Sequence, residues 1–127
     1  MNVRTAVGLG ALIGASLRYL IVNVTSLDQI WSTLFVNLVG CFVLGFVLVH
    51  GERYLTALPN LQSVWRPFLA TGLLGGFTTT SAFAVQSMTL LQNGEAFKFM
   101  VLFFLSVIGG LVVFQLAQSI AIKGLHK

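Results

Sequence analysis

Gly72-Leu73-Leu74-Gly75-Gly76-Phe77-Thr78-Thr79-Thr80-Ser81-Ala82-Phe83 is the stretch on which the fold turns. Two adjacent glycines and four consecutive hydroxyl residues sit inside an apolar segment that runs from about residue 64 to 92. An unbroken helix of roughly 28 residues would be about 42 Å long, whereas the hydrocarbon core of a bilayer is about 30 Å thick. Adjacent glycines weaken a helix, and hydroxyl side chains offer other partners to the freed backbone groups. Non-helical backbone at membrane depth is tolerated only where protein or a watery cavity satisfies it. The stretch therefore reads as a break in a membrane-spanning helix. The alternative is a tilted helix with a small-residue packing face.

The rest of the chain argues for the same solvent. Of its 127 residues 57% are hydrophobic and 8% charged, against roughly 25% charged in ordinary soluble domains. A soluble chain this short has too little interior to hide so much apolar surface. Spans are expected at about 4–24, 31–51, 64–92 and 97–121, which makes the fold all-α, a single four-helix transmembrane unit over 1–127. Turns are expected at Ser26-Leu27-Asp28, from His50 through Pro59-Asn60, and at Gln92-Asn93-Gly94-Glu95. Trp31, Tyr54 and Trp65 fall near proposed helix ends, where amphipathic rings prefer the interface. The first apolar run is too long for a cleavable signal peptide. A single Cys excludes a disulfide framework or a cysteine metal site. Scattered basic residues give no nucleic-acid surface.

With four spans, both termini and the second loop share one side. That side holds Arg4, Arg53, Arg66, Lys123 and Lys127, and the other holds Lys98 and Arg18. The excess of basic residues places both termini in the cytoplasm of a bacterial-type plasma membrane.

Polar residues inside spans are expensive and mark function by default. Arg18 would lend positive potential to the mouth of an anion path, or snorkel to anchor its helix end. Thr33, Asn37 and Cys41 recur every four residues and share one face. The Asn37 amide can donate two hydrogen bonds to an anion without a charge that holds it too firmly; otherwise it glues helices together. Thr78, Thr79, Thr80 and Ser81 would line a pore with donors, or their carbonyls would cage a cation. Phe83 could meet an anion with its electropositive ring edge. Ser106, Gly109 and Gly110 read as a close-packing stripe in the fourth span.

Absences narrow the function classes. Asp28, Glu52 and Glu95 all fall in loops, so a proton-coupled exporter of cationic drugs would lack its intramembrane carboxylate. His50 and His126 lie near the ends and far apart, which offers no metal site. No nucleophile–base pair is evident, so catalysis is not expected.

On these residues the chain resembles the Fluc (CrcB) fluoride channels over essentially its whole length. The matching pieces are Gly14 to Tyr19, Thr33-Leu34-Phe35-Val36-Asn37-Leu38-Val39-Gly40, and the Gly72–Phe83 stretch. The resemblance implies an antiparallel dimer of four-helix subunits, embedded in membrane lipid, with two fluoride pores that relieve fluoride toxicity by passive export. It also implies a structural Na⁺ at the dimer centre, held by the backbone carbonyls of Gly75 and Thr78, and no organic cofactor. Asn37 matches the family's pore asparagine, Arg18 its first-helix arginine, and Phe83 the second of two phenylalanines beside the fluoride path.

The chain departs from the pattern in several places. Thr80 stands where the family has Phe, Ala82 where Ser or Thr is common, Gln86 where Glu is expected, and Gly110 where a serine is expected. Each family pore draws one phenylalanine from each subunit, so a homodimer of this chain would lack one ring in both pores. The one-sided basic residues also favour a single direction of insertion. Together these imply a heterodimer with an oppositely oriented homologue. The rival readings are a small multidrug-resistance type exporter and a non-conducting subunit that only orients a working partner.

Overall fold

The computed structural model describes residues 2–25, 28–54 and 59–124. Ser26, Leu27, His126 and Lys127, and the side chains of Glu52, Arg53, Tyr54 and Asn60, lie outside what is described. The first helix, α1, covers Val3–Val24. Its N-cap Asn2 accepts the Thr5 N–H at 2.8 Å, satisfying one orphan donor of the first turn. A second helix, α2, covers Gln29–Tyr54, and the hydroxyls of Thr25 and Ser32 meet at 3.0 Å across the connection.

The third apolar stretch is composite. Helix α3 runs Pro59–Arg66 and passes into a π-helical segment, Pro67–Leu73. Pro67 has no N–H and crowds the preceding turn, and the wider winding follows at once, with the Leu74 N–H reaching back to Leu69 O. A short α4 covers Leu74–Phe77. Thr78 (φ −81°, ψ 158°) and Thr79 (φ −148°, ψ 114°) are extended, and α5 resumes over Thr80–Gln92. Two expectations need correction here. Pro59 and Asn60 begin a helix instead of forming a turn, as suits a proline in a first turn. Gly75 and Gly76 are helical, and the extended residues come two positions later.

Helix α5 ends on Gly94, whose φ of +75° suits a residue without a Cβ. Glu95 N–H returns to Leu90 O at 2.8 Å and Gly94 N–H to Leu91 O at 3.1 Å, the two bonds of a Schellman cap. The last stretch comprises α6 (Ala96–Phe104), a π-helical segment (Leu105–Gly109) and α7 (Gly110–Gly124).

Glycines decide which helices touch. A Cβ on Gly76 would lie 2.5 Å from Ala11 O and one on Gly72 2.6 Å from Val7 O. Gly10 and Gly14 face Phe68 O and Leu73 O from the other side. Helix α1 therefore lies backbone to backbone against the π-helical segment and α4, the small-residue packing that lipid-embedded helices favour. The other main pair is α2 with α7. There Gly45 provides the close approach, since a Cβ would lie 2.6 Å from Phe114 O. Gly109 and Gly110, expected as the packing stripe, meet Leu38 and Cys41 only at the ordinary contact distance of 3.5 Å.

Little of this chain is interior. Leu34, Leu90 and Leu102 form a small buried cluster, while Phe97 (75%), Val85 (67%) and Leu12 (66%) stand largely exposed. Four helical stretches, Val3–Val24, Gln29–Gly51, Ser63–Gln92 and Ala96–Gly124, are long and apolar enough to cross a membrane. Lipid is the solvent that makes such an outer surface stable.

Candidate functional site: two clefts that meet at Thr79

The interruption after Phe77 is held by one side chain from α2. Thr79 donates its N–H to Asn37 Oδ1 at 2.8 Å, and Asn37 Nδ2 donates to Thr79 O at 3.2 Å. In a continuous helix the Thr79 N–H would go to Gly75 O. Thr78 folds back on the preceding turn, its N–H and hydroxyl both donating to Leu74 O at 2.9 Å. The Thr79 hydroxyl caps α5 by accepting the Ala82 N–H at 3.2 Å and lies 3.2 Å from the Ser81 hydroxyl. Gly40, one turn along α2 from Asn37, leaves the space that the Thr78 methyl fills.

Clefts open on both sides of this junction. One, of about 400 Å³, is lined by Ala15, Arg18, Tyr19, Val22, Asn23, Gln29, Thr33, Thr79, Ala82 and Gln86. The other, of about 360 Å³, is lined by Asn37, Gly40, Cys41, Leu44, Ala70, Leu74, Gly75, Thr78, Thr79 and Thr80. Thr79 belongs to both walls. Among the described residues neither wall includes an Asp or a Glu. Asp28 and Glu95 instead line a separate recess of about 140 Å³ with Lys98, which pairs with Glu95.

The singled-out residues thus divide. Arg18 and Thr33 face the first cleft; Asn37, Gly75, Thr78 and Thr80 face the second. Arg18 is half-buried, and its Nε donates to Gly76 O at 3.3 Å, so the guanidinium serves the loosened end of α4. One of its five donors is so engaged, and the residue lines the first cleft. Thr80 and Ser81 are exposed. Phe83 is half-buried and packs on the Leu34–Leu90–Leu102 cluster; it is not among the residues that line either cleft.

The expectation that Asn37 presents two free donors needs revising. One Nδ2 hydrogen and the amide oxygen are engaged with Thr79, which leaves one donor. Gln86, noted in the sequence only as a departure, joins the site: its Nε2 donates to Gln29 O at 3.2 Å and to Thr33 Oγ1 at 2.9 Å. Its Oε1 is buried with no partner among the described residues. Tyr19 and Asn23 also line this cleft, and neither was singled out in the sequence as a site residue.

A profile described as CrcB-like protein, Camphor Resistance (CrcB), matches residues 5–118. The chain belongs to the CrcB family. Relatives include the fluoride-specific ion channel FluC of Aquifex aeolicus (strain VF5), 41% identical over 104 residues covering 79% of this chain and 81% of the relative. The FluC protein of Leptospira interrogans is 35% identical over 109 residues, 83% of each chain. That of Methanococcus aeolicus is 30% identical over 118 residues, 91% of this chain and 92% of the relative. The matched region takes in both clefts and the interruption between them, and the protein is a multi-pass membrane protein of this family.

Proposed function

We propose that the chain is a subunit of a fluoride-selective channel that lets the anion leave the cytoplasm down its gradient, both termini being cytoplasmic. The observation that carries this reading is the junction at Thr79, where two clefts without acidic walls meet at a break held by Asn37. Fluoride is small and strongly hydrated, so a passive path must replace its water with donors and yet let it leave again. Arg18 supplies positive potential on one side. Thr33, the remaining Asn37 N–H and the Thr79–Ser81 hydroxyls offer successive neutral donors, and the N-terminus of α5 adds its partial positive charge. Phe83, which packs on the Leu34–Leu90–Leu102 cluster and lines neither cleft of the single chain, would offer its ring edge only to a path completed by the partner subunit.

A cation site fits the same interruption. Because the Thr79 N–H is diverted to Asn37 and the Ala82 N–H to the Thr79 hydroxyl, Gly75 O and Thr78 O lose their helical donors. Two such carbonyls from each of two opposed subunits would give a hard-oxygen set for Na⁺ at the dimer centre, where the ion would screen facing carbonyl dipoles. The dimer is a heterodimer with an oppositely oriented homologue. The charge bias supports this, as does Thr80, a small exposed residue on the second cleft where the family resemblance calls for a ring.

Reconstitution into liposomes tests the reading. The chain with its homologue is expected to release trapped fluoride but not chloride, and the chain alone to release little. Robust flux from the chain alone would remove the heterodimer, and undiminished flux after Phe83→Ala in the complex would mark a subunit that only orients its partner.

A further inference from the structure

We infer that Asn37 is a positioning residue for the cation site, holding the Gly75 carbonyl free of its own helix. This rests on the reading of Gly75 and Thr78 carbonyls as cation ligands. The side-chain amide of Asn37 pairs with both polar groups of Thr79, 2.8 Å to the N–H and 3.2 Å to the carbonyl. That double pairing fixes the extended backbone of Thr79 (φ −148°, ψ 114°). It takes away the one backbone donor that sits at helical register with Gly75 O. Gly75 itself faces open space, with nothing within 4 Å of where a Cβ would be, and it lines the same cleft as Asn37 and Thr78. Gly75 is exposed on the cleft and Thr78 half-buried, and carbonyls without a donor at membrane depth are costly unless protein, water or an ion takes them up, so the freed oxygens favour a hard cation. Without the amide the Thr79 N–H is free to return to Gly75 O and compete with it. Asn37 thus sits on the anion path while governing a cation's ligands, and one substitution should move two separate readouts.

The two polar atoms of the amide can be separated. Asn37→Asp keeps an oxygen to accept the Thr79 N–H but loses the donor to Thr79 O; Asn37→Ala loses both. The test is the thermal unfolding midpoint of the purified dimer, titrated with NaCl and with N-methyl-glucamine chloride as control. The wild type is expected to gain stability with Na⁺ alone. Asn37→Asp should keep that response, and Asn37→Ala should need about tenfold more Na⁺, as expected for competition by one recaptured hydrogen bond. A wild type indifferent to Na⁺ overturns the cation site itself. A wild type that responds, with Asn37→Ala responding at the same concentration, overturns the inference and leaves the cation site standing. Should Asn37→Ala not fold, the wild type carries the test through carbon- and nitrogen-labelled Gly75 and Asn37. Their carbonyl and side-chain amide resonances should shift together with Na⁺, and a shifting Gly75 carbonyl beside an unmoved Asn37 amide overturns the inference.

Discussion

Asn37, about a third of the way along α2, exchanges two hydrogen bonds with the backbone of Thr79, 42 residues further on, in the manner of two paired strand residues. A side chain is doing the work of a missing helical turn. The polar groups of a loosened backbone are costly in lipid unless protein takes them up, and here one amide takes up two of them. Asn37→Ala would strand the Thr79 carbonyl at a cost of about 1–3 kcal/mol and leave the Thr79 N–H to turn back toward Gly75 O. Expected outcomes are a lower unfolding midpoint in detergent and loss of fluoride flux through the pore this residue serves. Asn37→Asp should also lose flux, because a fixed negative charge repels the anion. Both are read with a fluoride electrode on proteoliposomes.

The α1 interface makes a second, purely structural prediction. Gly76 and Gly72 meet Ala11 O and Val7 O, which are backbone atoms and cannot swing away. Gly76→Val should prevent α1 from docking, at a cost above the roughly 1–3 kcal/mol of ordinary overpacking, and size-exclusion chromatography should show aggregate in place of dimer. Gly8, on the same helix but facing nothing within 4 Å, is the control. Gly8→Ala should be neutral or stabilising by up to about 1 kcal/mol.

Arg18 serves the end of α4 and the first cleft at once. Arg18→Lys keeps the charge but loses the Nε bond to Gly76 O, while Arg18→Ala loses both. If potential at the cleft matters, Arg18→Ala should lower flux about tenfold at low ionic strength, and Arg18→Lys much less. The gap should narrow at 1 M salt, where the Debye length falls to about 3 Å. Flux at two salt concentrations decides it.

Gln86 ties α5 to the start of α2 through Gln29 O and Thr33 Oγ1. Only a donor can face the Gln29 carbonyl, so Gln86→Glu should work in its neutral form alone. Flux of this variant should fall as pH rises through the carboxyl's titration, while the wild type stays flat over the same range. Gln86→Leu, which cannot ionise, should show no such pH dependence. Stopped-flow or electrode efflux over pH 5 to 8 measures it.

Parts of this arrangement were legible in the chain and parts were not, for physical reasons. The run Thr78–Ser81 stood out because four hydroxyls in lipid demand partners, and the extended residues Thr78 and Thr79 lie inside it. The glycines before it drew attention as a weak point, yet Gly76 is helical because its lack of a Cβ is used for contact with Ala11. Asn37 stood out as a mid-span amide, but which backbone it grips depends on a contact 42 residues away. Gln86 with Gln29, and Arg18 with Gly76, are likewise pairs that only the packing of α2 on α5 and of α1 on α4 creates. The π-helical widening at Pro67–Leu73 left only Pro67 as a clue, and that at Leu105–Gly109 left none that periodicity reports.

The most direct measurement is fluoride release from liposomes that contain this chain with its oppositely oriented homologue, wild type against Asn37→Ala in this chain only, under the same gradient with chloride as the control anion. The junction at Asn37 and Thr79 predicts fluoride release by the wild type, none of chloride, and loss of the share carried by this chain's pore in the variant. Equal fluoride release by a correctly folded Asn37→Ala complex would contradict the account.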